Sequence, residues 1–165
     1  MQWYLIMSLY ALLAVQGHCS AQADVAVDKV LVKKSQRLLY LLKEGKIYRH
    51  YRISLGTTPD GHKQRMGDGR TPEGHYLIDH RNPHSQFYRS LHINYPNAND
   101  KQRAKHEGVN PGGQIFIHGS PNGLAVKASW NSGEDWTLGC IAVSNQAMDE
   151  LWQLVKNGTP IEILP

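Results

Sequence analysis

Arg37-Leu38-Leu39-Tyr40-Leu41-Leu42-Lys43-Glu44-Gly45-Lys46-Ile47-Tyr48-Arg49-His50-Tyr51-Arg52-Ile53-Ser54-Leu55 holds two runs rich in Leu, Ile and Tyr, separated by a short polar break at Glu44-Gly45. Branched and aromatic side chains suit a pleated, half-buried surface, and a two-residue break returns one strand antiparallel to the other, so this stretch predicts a β-hairpin. Val30-Leu31-Val32 supplies a further short strand just upstream, and Val25 to Gly56 therefore reads as a meander.

Beyond the meander, Thr57 to Arg70 is polar and dense in Gly, Asp and Pro, a composition that predicts a loop bordering a groove. Thr71-Pro72-Glu73-Gly74 leads into His75-Tyr76-Leu77-Ile78-Asp79, a strand candidate. From His80 to Gly113 the chain is polar and broken by Asn82-Pro83, Tyr95-Pro96-Asn97 and Pro111-Gly112-Gly113. This reads as a long connection of lid or flap type with one short helix around Asp100 to His106. Gln114 to Ile117 is a short apolar strand that delivers His118-Gly119. Met148, Leu151, Trp152 and Val155 recur at helical spacing and predict a helix over Asn145 to Lys156, stopped by Asn157-Gly158 and followed by a strand from Pro160 to Leu164. The sum is mainly β: a twisted sheet sandwich or open barrel with one or two packed helices.

With 165 residues, 41% of them hydrophobic and 19% charged, the chain suits one folded unit with a real core, and no linker or repeat divides it. Its beginning differs in kind. Trp3 to Val15 is almost uninterrupted apolar sequence, and Ala21-Gln22-Ala23 places small residues where a signal peptidase cuts, so residues 1–23 read as a secretory signal peptide and residues 24–165 as the mature domain. The apolar run is shorter than the ~20 residues of a spanning helix, so stable membrane insertion is not expected. Cys19 belongs to the leader, and Gln16-Gly17-His18 before it is no lipoprotein box. A net charge of +4, spread along the chain without a basic helix or RNA motif, fits an anionic envelope polymer and not nucleic acid.

One cysteine, Cys140, remains in the mature chain. An unpaired thiol in an exported domain is either buried and inert or kept for its reactivity, and one cysteine plus one of nine histidines does not decide between them. Gly139 before the thiol would let substrate approach closely, and its amide could join that of Cys140 in stabilising an oxyanion. His118, at the end of an apolar strand, is placed to project into a cleft, where an imidazole beside a thiol lowers its pKa and holds the thiolate as an ion pair.

His118-Gly119, seventeen intervening residues, and Thr137-Leu138-Gly139-Cys140-Ile141 together resemble the signature of the L,D-transpeptidase catalytic domain family. The likeness extends upstream to Leu55-Gly56 and Arg70-Thr71-Pro72-Glu73-Gly74-His75-Tyr76 and covers nearly the whole mature chain, most like the small single-domain proteins of Gram-negative bacteria. It departs at Leu138, where the family commonly has His, and at Ala142, where Asn or Arg is usual. The resemblance implies Cys140 as nucleophile, His118 as general base and acid, the Gly119 carbonyl as the group orienting the imidazole, and the amides of Leu138, Gly139 and Cys140 as an oxyanion hole. It also implies the reaction: attack on the L,D peptide bond of a peptidoglycan tetrapeptide stem, release of D-Ala and a thioester. An amine acceptor makes a transpeptidase; water makes an L,D-carboxypeptidase or L,D-endopeptidase, acting on peptidoglycan or on a protein linked to it.

Other polar residues carry weaker expectations. Arg81, Asn82, Ser85, Tyr88 and Arg89 either bind carboxylates of a stem or form a solvated loop, and Trp130 and Trp136 flank the approach to Cys140. His75, His80 and His84, with Asp79, cross a strand and a turn and share no helix motif, so no metal and no cofactor is expected. The expected partner is the peptide stem of peptidoglycan; nothing in the sequence specifies an envelope protein that activates the domain.

Overall fold

Alternating burial runs through β1 (Lys29–Lys33) and β2 (Leu38–Lys43): Val30, Val32, Leu39 and Leu41 are fully buried, while the residues between them stay partly exposed. The turn into β3 (Lys46–Arg52) uses Glu44 at φ 52° and Gly45 at φ 71°, the consecutive left-handed pair that matches the twist of a two-residue hairpin. The computed structural model describes residues 26–123 and 133–165, so the leader, Cys19 and Trp130 lie outside the described residues.

β4 (Gly74–Ser85) is the seam of the molecule. Its first four residues pair antiparallel with β8 (Pro160–Leu164), and its remainder pairs with β5 (Tyr88–Ile93). β6 (Ile115–His118) lies beside β5, and β7 (Ile141–Ala142) lies parallel to β6. The result is an eight-stranded mixed sheet in the order β3-β2-β1-β8-β4-β5-β6-β7. Chain just beyond β3 then crosses to the far edge through bridges from Ser54 to Ala142 and from Gly56 to Thr137. Of the expected twisted sheet sandwich or open barrel with one or two packed helices, the mainly β character and the helices are observed, in one mixed sheet of eight strands among the described residues.

The stretch expected as one long connection is more ordered than its composition implied. β4 runs on to Ser85 and β5 follows, because the register shifts between Ile78 and His80 and again between Asn82 and Ser85. Pro83 falls inside the second irregularity, where no ladder hydrogen bond is required of it. α1 (Ala98–Glu107) starts two residues before the predicted helix, since Asn97 caps it and Asp100 completes a capping box. α2 (Asn145–Leu154) is capped by the Ser144 hydroxyl, which accepts from the Ala147 amide at 3.1 Å, and it buries Ala147, Met148 and Leu151 against the sheet. Met148, Leu151, Ile78, Leu91, Ile117 and Ile161 are at most 1% exposed; each such side chain contributes about 1.5–3 kcal/mol by leaving water. No helix among the described residues is long and apolar enough to cross a membrane.

Candidate active site

The turn before β7 sets the thiol. Thr137 Oγ1 donates to the Cys140 carbonyl at 2.8 Å and accepts from the Gly139 amide at 3.1 Å, closing Thr137-Leu138-Gly139-Cys140 on itself. Gly139 has φ 126°, and a Cβ there would lie 2.6 Å from the Arg70 carbonyl oxygen, so conformation and space both demand glycine. The Gly139 amide thereby donates within the turn.

His118 ends β6 with its residue 4% exposed. Its Nδ1 lies 2.7 Å from the Gly119 carbonyl oxygen. A carbonyl only accepts, so Nδ1 carries the proton and Nε2 is the basic nitrogen. Phe87 packs on the ring at a centroid distance of 4.6 Å and Trp136 meets it edge-on at 5.8 Å. Glycine at 119 is a matter of room: a Cβ would stand 2.5 Å from Asn145 Oδ1 and 2.9 Å from Tyr88 Cβ. Asn145 Oδ1 accepts from the Ser120 amide at 2.9 Å, so the first residue of α2 braces the loop leaving the histidine.

Cys140 and His118 open into one cavity of about 1080 Å³. Lys63, Met66 and Gly67 of the loop after β3 form one wall; Asn82, His84 and Ser85 of β4 form a second. Trp136 and Leu138 close the rim, Leu138 with 82% of its surface exposed. The thiol sulfur lies 3.5 Å from the Gln114 carbonyl oxygen.

Burial pushes the Cys140 thiol above its ordinary value, against smaller opposing pulls from the Phe116 backbone and the charge of Lys63. Burial likewise holds the His118 imidazole below its ordinary value, with the Gly119 hydrogen bond opposing. Both shifts favour an uncharged pair at rest. In each case the cause is desolvation, which penalises the charged form.

Of the side chains expected to bind substrate, Ser85, Asn82 and Trp136 line the cavity. Arg81 does not: its guanidinium stacks 4.2 Å from the Trp152 ring centre and donates to the Trp152 carbonyl, which fastens β4 to α2. Tyr88 and Arg89 are also turned to α2, the Tyr88 hydroxyl donating to Asp149 at 2.9 Å and Arg89 pairing with the same carboxylate at 2.9 Å. Among the other histidines, His75 faces Glu162 at 3.8 Å from an exposed position, and Asp79 pairs with His92. Lys63 and Phe87 were not singled out from sequence. The polar stretch around Lys63 was expected to border a groove, but nothing in residue type marks which of its side chains turns inward.

The fold agrees with the comparisons. Residues 27–163 match the L,D-transpeptidase catalytic domain, YkuD. The YafK protein of Escherichia coli K12, whose name gives it provisionally as an L,D-transpeptidase, is 31% identical over 132 residues, covering 76% of this chain and 46% of that protein. The helical cell shape determining protein Pgp2 of Campylobacter jejuni superposes with a TM-score of 0.63 at 29% identity, over 85% of this chain and 48% of its own. Bd1075 of Bdellovibrio bacteriovorus gives 0.60 at 26% identity, over 85% and 48%. The chain thus spans about half the length of these relatives. It belongs to the L,D-transpeptidase catalytic domain family.

Proposed function

We propose that the protein is an exported L,D-transpeptidase of the cell envelope, in which Cys140 and His118 exchange the acyl group of a peptidoglycan tetrapeptide stem. The observation that carries this reading is a single cavity holding both the thiol and an imidazole whose Nδ1 is committed to the Gly119 carbonyl. As sulfur attacks the carbonyl between the L-centre and the D-residue, its proton passes to His118 Nε2. The Leu138 and Cys140 amides stabilise the oxyanion. The imidazolium then returns the proton to the departing amine, D-Ala leaves, and a thioester remains. An amine of a second stem, deprotonated by the same imidazole, attacks that thioester, forms the cross-link and restores the thiol. The apolar leader at residues 1–23 supports export to the periplasm, and the likeness to a cell shape determining protein supports a part in setting cell shape.

Incubating the protein with disaccharide tetrapeptide and weighing the products tests this reading. Cross-linked dimer with loss of D-Ala is expected, and Cys140→Ala lowers conversion by about 1,000-fold or more. Tripeptide without dimer would replace acyl transfer by hydrolysis as an L,D-carboxypeptidase. Unchanged conversion by Cys140→Ala would remove the nucleophile from the account.

A further inference from the structure

Lys63 is a buried cation, 3% exposed, in the wall of the cavity that holds Cys140. An ammonium has three N–H donors, and two are used here: one reaches the Arg65 carbonyl at 3.1 Å and one reaches Asp68 Oδ1 at 2.7 Å. Asp68 does not spend its charge on Lys63 alone, since its carboxylate also accepts from the amides of Gln64, Arg65 and Arg70 at 2.8, 3.1 and 3.1 Å. No aspartate or glutamate is among the described residues lining the cavity. Trp136, also lining the cavity, holds a further unmet donor, its buried indole N–H, which has no partner among the described residues. Buried donors left unpaired cost free energy that an anionic acceptor would recover. Lys63 and Cys140 line the same cavity, so an anion held by the ammonium shares that space with a substrate at the thiol.

We infer that Lys63, with the Trp136 indole N–H, forms a subsite for a carboxylate of the substrate lying within one residue of the bond that is cut. The inference rests on the reading of the site as an L,D-acyl-transfer centre and names what that centre recognises. A stem peptide offers two such groups: the terminal α-carboxylate of the leaving residue, and a side-chain carboxylate of the residue that is acylated. The first makes the enzyme selective for peptide ends; the second makes it selective for the donor residue.

Release of the leaving residue, followed as kcat/KM, is to be compared for three synthetic peptides: the free acid, its C-terminal amide and its side-chain amide. In the wild-type protein one of the two amidations lowers kcat/KM by about 10- to 100-fold, the range of a charge-assisted hydrogen bond. Lys63→Met brings that amide and the free acid to equal rates, whereas Lys63→Arg keeps them apart. Lys63→Gln, which retains a donor toward Asp68, takes the place of the methionine variant should that one fail to fold. The inference is overturned if neither amidation matters in the wild type, or if the penalty persists without the cation. Acylation of Cys140 without discrimination ends this inference alone; no acylation by any of the three peptides ends the reading beneath it as well.

Discussion

With its imidazole buried and Nδ1 given to the Gly119 carbonyl, His118 has one nitrogen left for the proton exchange proposed above. In the proposed reaction, the directions of the two shifts require the imidazole to accept the thiol proton as the sulfur attacks. Two consequences are measurable in the free protein. Alkylation of Cys140 by iodoacetamide is expected to keep accelerating through pH 9.0, the ordinary thiol value, because burial raises the folded one. A plateau near neutral pH would mean a preformed thiolate. On the acid side, His118 remains an acceptor below its ordinary 6.5, so the acid limb of kcat/KM falls with a midpoint under that value.

The element that shapes the cavity wall is the loop between β3 and β4, and Asp68 organises it. One ammonium and three backbone amides converge on its carboxylate, which is held down at about 2 from an ordinary 3.8, with the hydrogen bonds outweighing burial. A depressed folded value means that the stabilisation is complete above 3.8 and is lost as pH falls toward about 2. It amounts to on the order of 1–2 kcal/mol after allowance for solvent screening. Urea unfolding at several pH values checks this: Asp68→Asn should be less stable at neutral pH and lose less on acidification, and parallel curves for the two proteins would refute it. None of this was readable beforehand, because a Gly- and Asp-rich stretch reveals only that it is a loop. The β1–β3 meander was legible from alternating Leu, Val and Tyr, and α2 from its Met148, Leu151 and Trp152 spacing. β5 was missed because Tyr88-Arg89-Ser90-Leu91-His92-Ile93 lies among breakers whose bulges absorb them. Cys140 and His118 stood out through a spaced motif; Lys63 did not, since what distinguishes it is burial.

Across the whole molecule, Asp135 ties the chain leading into the Cys140 turn to the opposite end of the sheet. Its carboxylate accepts from Arg37 Nη2 at 2.6 Å and Nε at 3.0 Å, and from the Leu55 amide at 2.8 Å. Side-chain exposures of 32% for Arg37 and 14% for Asp135 make this a partly buried network, and removing the acid strands an amide and a guanidinium together. Asp135→Ala should cost about 2–3 kcal/mol in urea unfolding and lower kcat more than KM, because Trp136 and Thr137 follow directly in the chain. Full stability with full turnover would show that the tie is dispensable. The two-residue β7 is gripped by β6 on one side and by the segment after β3 on the other. During synthesis the amino-terminal hairpin therefore has to wait for chain made much later before that clasp can close. The turn that carries Cys140 is thus seated only once the late strands are in place.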